Sequence, residues 1–134
     1  MPFATPLRLL WAAPASALGL LFALLPLAAG GRCAWRDGAL EVCYRPRLAD
    51  CGTRTRSLRF RGIVFGHVIL AVTAEELAQI GPHERVHVAQ YGRWGPLFLP
   101  AYALAGAWQW ARGRDAYRDN PFEVQARRLG DGED

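Results

Sequence analysis

The sequence predicts an α+β fold: an apolar amino-terminal helix, a short antiparallel hairpin with further strands, then helices. Three observations carry this reading. Asp37-Gly38 stands between two short alternating runs, Cys33-Ala34-Trp35-Arg36 and Ala39-Leu40-Glu41-Val42-Cys43-Tyr44, the pattern of a tight hairpin turn. Ile63-Val64-Phe65 and Val68-Ile69-Leu70 are β-branched or aromatic runs parted by Gly66-His67, which reads as two short strands or one kinked one. Further on, the punctuation changes to helix starts, at Thr73-Ala74-Glu75-Glu76 and Asn120-Pro121-Phe122-Glu123, each with a capping side chain and a glutamate three residues later.

The 134 residues leave room for one domain. Residues 1–31 are expected to stand outside it. No charge occurs from Leu9 to Gly31, a run longer than the roughly 7–15 residues of a signal-peptide core and close to the roughly 20 that span a bilayer. A retained membrane anchor is therefore favoured over a cleaved signal, for which Leu27-Ala28-Ala29-Gly30 would be the small-residue site. Residues 32–129 form the domain, and 130–134 read as a disordered acidic tail.

Charge bears on partners. The net charge of +4 is carried by arginine alone, and eight arginines against three acidic residues fall between Arg32 and Arg61. Such a cluster beside an apolar segment suits anionic headgroups, so membrane lipid is an expected partner. Nucleic acid is not, because few aromatics and no known binding motif accompany the charge. Cys33, Cys43 and Cys51 are an odd set without interleaved histidine. They read as structural, with at most one bridge, Cys33–Cys43 across the hairpin.

Between the two helix starts lie the residues that carry chemistry. Thr73 opens a short helix that Gly81-Pro82 ends, and Pro82 can open a second one carrying His83-Glu84-Arg85-Val86-His87, then Gln90 and Tyr91. On a helix, residues four apart share a face, so two imidazoles can grip one ion. Zn2+ accepts neutral imidazole, and the intervening Glu84 can deprotonate a water beside it. The apolar stretch from Leu97 to Ala111 is short for a span; a helix packed across the metal helix, touching the bilayer through Trp108 and Trp110, suits it better. A catalytic zinc keeps three protein ligands, and no histidine follows His87. Of Asp115, Asp119 and Glu123, Glu123 is the best third ligand, being on a helix with a rigid start; its rival role is to complete the cap at Asn120 or pair with Arg127. Supporting groups are open: Asn120, Asp119 or Asp115 behind a histidine, and Tyr102, Tyr117 or His67 as a donor to a developing oxyanion. Gln90 and Tyr91 are expected to pack.

His83-Glu84-x-Val86-His87-Val88-x-Gln90-Tyr91, Trp94-Gly95-Pro96-Leu97-Phe98 and Asn120-Pro121-Phe122-Glu123-x-x-Ala126 resemble a family of small bacterial proteins over residues 62–128. More loosely, the chain resembles the gluzincin class of zinc metallopeptidases in minimal form. That resemblance implies a zincin-like domain with His83, His87 and Glu123 as metal ligands, Glu84 as general base, and a peptide or protein substrate. The expectation is a membrane-associated zinc-dependent hydrolase. The alternative is a non-catalytic, membrane-anchored binding or scaffold protein whose metal site is structural or vestigial.

Overall fold

The computed structural model describes residues 6–45 and 62–132. Cys51 and most of the arginine cluster lie outside them, as does nearly all of an unpatterned, loop-like stretch over 45–57 that holds Pro46 and Gly52.

The fold is α+β, with a four-stranded sheet between helices. Strands β1 (Arg32–Arg36) and β2 (Ala39–Arg45) form the expected hairpin. Its two turn residues, Asp37 and Gly38, both have positive φ (49° and 81°), which a two-residue turn of the favoured twist requires. Strands β3 (Gly62–Phe65) and β4 (Val68–Thr73) form a second antiparallel hairpin, turned at Gly66, φ 61°. The two hairpins join through β2 and β4, which pair in parallel, in the order β1-β2-β4-β3. The expected antiparallel pairing thus holds within each hairpin and not between them.

Cys33 and Cys43 are both free. Cys33 lies opposite Val42 while Cys43 lies opposite Arg32, so the register sends the two thiols to opposite faces. The hairpin that suggested a bridge is the reason there is none.

Alternation along the strands divides the core in two. Ala39, Val64 and Ile69 pack with Val88 and Tyr91 of the long helix α3 (Ala74–Trp94). Val42 and Val68 pack with Ala23 of α2 (Ala13–Ala28). A shorter helix, α1 (Pro6–Trp11), precedes α2. The amino-terminal apolar run is therefore not the single long helix expected. It breaks near Ala12, and α2 packs on the sheet: a Cβ placed on Gly19 would lie 2.8 Å from that of Val68. Among the described residues no helix is long and apolar enough to cross a membrane.

The helix starts behave as expected. The Thr73 side chain accepts from Glu76 N at 3.1 Å to open α3, and Asn120 Oδ1 accepts from Phe122 N at 3.1 Å to open α5 (Pro121–Ala126). Helix α3 runs through Gly81-Pro82 without ending, so the two expected helices are one. Pro82 leaves one carbonyl of the preceding turn without its helical donor. Helix α4 (Phe98–Ala111) follows a 3-10 turn. After α5 the chain continues as a wide helical turn, Arg127–Asp131. The acidic end thus begins as ordered structure.

Candidate metal centre

Three elements bring the site together. Helix α3 supplies His83, Glu84 and His87, with the imidazoles one turn apart as their spacing requires and their ring centroids 5.0 Å apart. Helix α5 supplies Glu123 from its first turn, where a carboxylate suits the positive end of the helix. Helix α4 supplies Tyr102. A six-residue helix has little stability alone, so α5 depends on its packing. Phe122 packs against Phe98 (5.2 Å between centroids), Tyr102 (6.1 Å) and Trp94 (5.8 Å), each such pair contributing about 0.5–1.5 kcal/mol beyond burial. Asn120, fully buried, also donates from Nδ2 to the Tyr102 carbonyl at 3.1 Å, tying α5 to α4.

The geometry is convergent. His83 Nε2 lies 3.2 Å from Glu123 Oε2, and His87 Nε2 lies 3.3 Å from Glu123 Oε1. One ligand atom from each residue falls within 4.8 Å of the others, so the three can hold one metal ion. The remaining ring nitrogens are also engaged, His83 Nδ1 with Asp131 Oδ2 at 2.9 Å and His87 Nδ1 with Gln90 Oε1 at 2.8 Å. A metal-bound histidine characteristically donates its outer N–H to an oxygen, which fixes tautomer and orientation. Gln90 is itself held, because its Nε2 donates to Phe122 O (3.1 Å) and Gln125 Oε1 (2.8 Å). Only its oxygen is left for His87, and His87 must be the donor.

The charges follow from these contacts. Each imidazole faces oxygen acceptors through both nitrogens, an arrangement that only the protonated ring satisfies without a metal. The hydrogen bond to Glu123 is the main cause that lifts His83 to about 9, against burial. Burial alone would lower His87, but its bond to Glu123 and the nearby carboxylates outweigh it, and it too is raised. Burial alone would raise Glu123; hydrogen bonds from His83, His87 and Tyr102 hold it far below the ordinary carboxylate value instead. A divalent cation at the centre of the triad would take the place of the two inner protons.

Glu84 lines the same pocket and accepts no hydrogen bond from a neighbouring side chain among the described contacts. Burial pushes its carboxyl upward, against the pull of both histidines. The pocket, about 530 Å³, is walled by strand β3 on one side and by Ile80, Leu99, Tyr102 and Tyr117 elsewhere. Strand β3 is at the edge of the sheet. Its Val64 carbonyl accepts from the Tyr91 hydroxyl at 3.2 Å.

The structure thus brings together all four residues singled out for metal and base: His83, Glu84, His87 and Glu123. Glu123 does not serve to complete the cap at Asn120, nor does it pair with Arg127. Of the supporting candidates, Tyr102 donates to Glu123 Oε1 at 2.6 Å. Tyr117 lines the pocket, its hydroxyl pushed up to about 12 by burial and by Glu123. His67 is elsewhere, in the β3–β4 turn, with its backbone N–H on Ser16 Oγ at 3.0 Å. Asp115 and Asp119 serve the turn between α4 and α5, and neither backs a histidine. The residues that do so, Gln90 and Asp131, had been assigned to packing and to the tail. Gln90 carries a signal, since it follows His87 by three residues on one helix face. Asp131 carries none, because its approach depends on Gly130, where a Cβ would meet His83 Cα at 2.5 Å.

Arg85 works away from the pocket. It reaches Glu41 Oε1 at 2.5 Å, and its Nε is 3.3 Å from Asp37 Oδ2. Glu41 is only 4 % exposed, and a buried carboxylate needs such a partner. This pair pins the motif-bearing turn of α3 onto the first hairpin.

No family model matches the chain, and no curated protein or solved structure does either.

Proposed function

We propose that this chain is a membrane-associated zinc-dependent hydrolase, acting as a peptidase. The observation that carries the reading is the convergence of His83, His87 and Glu123, with both outer imidazole nitrogens already engaged. Two imidazoles and a carboxylate are a donor set that zinc favours in sites that keep a position open. Bound there, the metal would polarise a scissile carbonyl and make water more acidic.

This chain's own residues would do the rest. Glu84, in the pocket beside the triad and raised by burial, would take the proton from the attacking water and return it to the leaving amine. Asp131 and Gln90 would keep the imidazoles aimed inward, and Tyr102 would hold the Glu123 carboxylate. Zinc content and hydrolysis of a peptide library test this reading. About one equivalent of zinc in the wild type and none in Glu123→Ala is expected, with zinc kept but cleavage lost in Glu84→Gln. Wild-type protein that binds no zinc sinks the proposal.

The second reading is a binding or scaffold protein with a structural metal. It is favoured by one observation: Glu123, a buried charge, links α5 to both α3 and α4. It predicts that Glu84→Gln is silent in every assay while His83→Ala unfolds the domain.

A further inference from the structure

Helix α2 and the second half of α4 are built inside out; only the start of α4 buries a large apolar side chain, Phe98. A helix that faces water turns its large apolar side chains inward and its polar ones outward. On α2 the inner residues are small: Gly19 and Ala23 are buried against the sheet and Ala15 joins the core beside Tyr91 and Phe98, whereas Leu21, Leu24 and Leu25 are 63 %, 61 % and 72 % exposed. On α4, Gly106 packs against the chain at Ala116, whereas Leu104 and Trp108, on the opposite side of the helix, are 71 % and 62 % exposed. This is the polarity of helices solvated by hydrocarbon, where small residues make the protein contacts.

Three further observations say what covers these faces. Neither helix has a charged residue, and their polar side chains are turned inward: Ser16 to the His67 backbone, Tyr102 to Glu123, and Gln109 buried. The first charged residue beyond each end is an arginine: Arg8 and Arg32 bracket α2, Arg93 and Arg112 bracket α4. Finally, all five tryptophans are at least 42 % exposed, and Arg112 lies 5.7 Å from the Trp108 ring. Tryptophan and arginine together mark the headgroup layer.

At roughly 1.5 Å per residue, the 16 residues of α2 and 14 of α4 fall short of the ~30 Å hydrocarbon core. Each also gives one side to the protein. We infer that the outer faces of α2 and α4 dock on an anionic bilayer, embedded in one leaflet rather than crossing it. This deepens the membrane half of the proposed function and is independent of the metal half.

The test uses the full chain with two vesicle types, phosphatidylcholine alone and an equal mixture with phosphatidylglycerol. The protein is expected to float with the anionic vesicles, and bromine on the acyl chains is expected to quench its tryptophan fluorescence. Leu25→Glu combined with Leu104→Glu, both at exposed positions, should weaken partitioning at least about ten-fold while zinc stoichiometry stays unchanged. Wild-type protein left in the aqueous fraction overturns the inference. So does partitioning that the two glutamates leave unaltered, and so does a dimer with unquenched tryptophans, which would make a second copy the partner. Zinc content, read on the same samples, reports separately on the hydrolase proposal.

Discussion

The two faces of the sheet are covered by helices of opposite construction. On one face, Ile69 and Val64 meet a helix that also carries His83, Glu84, Arg85, His87 and Gln90. On the other, Val42 and Val68 meet a helix whose inner stripe is alanine and glycine. The strands already differ: the α2 face shows Leu40, Val42, Val68 and Leu70, whereas the α3 face carries the buried Glu41 that holds Arg85. The layer beyond differs as well. Buried polar groups are costly unless paired, and only on the α3 side do further elements fold back to supply partners. Tyr102 comes from α4, Glu123 and Gln125 from α5, and Asp131 from the last turn. Among the described residues nothing comparable covers the outer side of α2, where Leu21, Leu24 and Leu25 are exposed. The paired polar groups therefore gather on the α3 side, whereas exposed apolar side chains occur on α2 and on the outer side of α4.

The contrast can be broken most sharply at its reactive end. Glu84→Gln keeps the shape of the pocket and removes the base, so peptide cleavage should fall by about 10²–10⁴-fold with zinc retained, read by turnover and metal content together. A smaller effect is expected one step out. Gln90→Ala or Asp131→Ala should weaken zinc binding by about 10–100-fold in competition with a chelator, whereas Asp119→Ala should leave it unchanged. On the opposite face the sensitivity inverts, with small residues mattering more than large ones. Gly19→Val forces a Cβ onto Val68 and should cost about 1–3 kcal/mol in chemical denaturation; Leu25→Ala, on the outer side, should stay within about 0.5 kcal/mol.

The mildest test uses pH. The hydrogen bond to Glu123 places His83 at about 9, above its ordinary 6.5. Its proton therefore stabilises the fold fully below pH 6.5, and that contribution is lost as pH rises through about 9. Zinc requires the neutral ring. The rise in Tm on adding zinc should accordingly be larger at pH 9 than at pH 6, by a few degrees in a thermal-shift series. An equal shift at both values would mean that zinc does not replace the His83 proton.

Much of the reactive face was legible in the sequence because its residues obey local rules. The spacing of His83 and His87 places both on one helix face, and Asn120-Pro121 marks a rigid helix start from which Glu123 projects. The Asp37-Gly38 turn was legible for the same reason. Features that depend on how distant segments meet were not. The parallel pairing of β2 with β4 has no local pattern, and Pro82 suits the start of a helix as well as an interior irregularity. Asp131 joins the site only through the fit of Gly130 against His83. The apolar run before Arg32 was read by its length and composition, which suggest an anchor. Its break falls just before Pro14, and its contact with the sheet comes from Gly19 and Ala23, whose small size matters only once the partner strands are known.

The shortness of α5 has a consequence for how the molecule reaches its final state. Thirty-five residues separate His87 from Glu123, and drawing the ends of such a loop together has a cost in chain entropy that rises only slowly with its length. A metal bridging the two would act as a reversible cross-link, favouring the closed chain over the open one by mass action. The carboxyl-terminal third would then be the last part to settle and the first to loosen under a chelator. Limited proteolysis between α4 and α5 would report metal loading directly, and the candidate metal centre would double as the latch that completes folding.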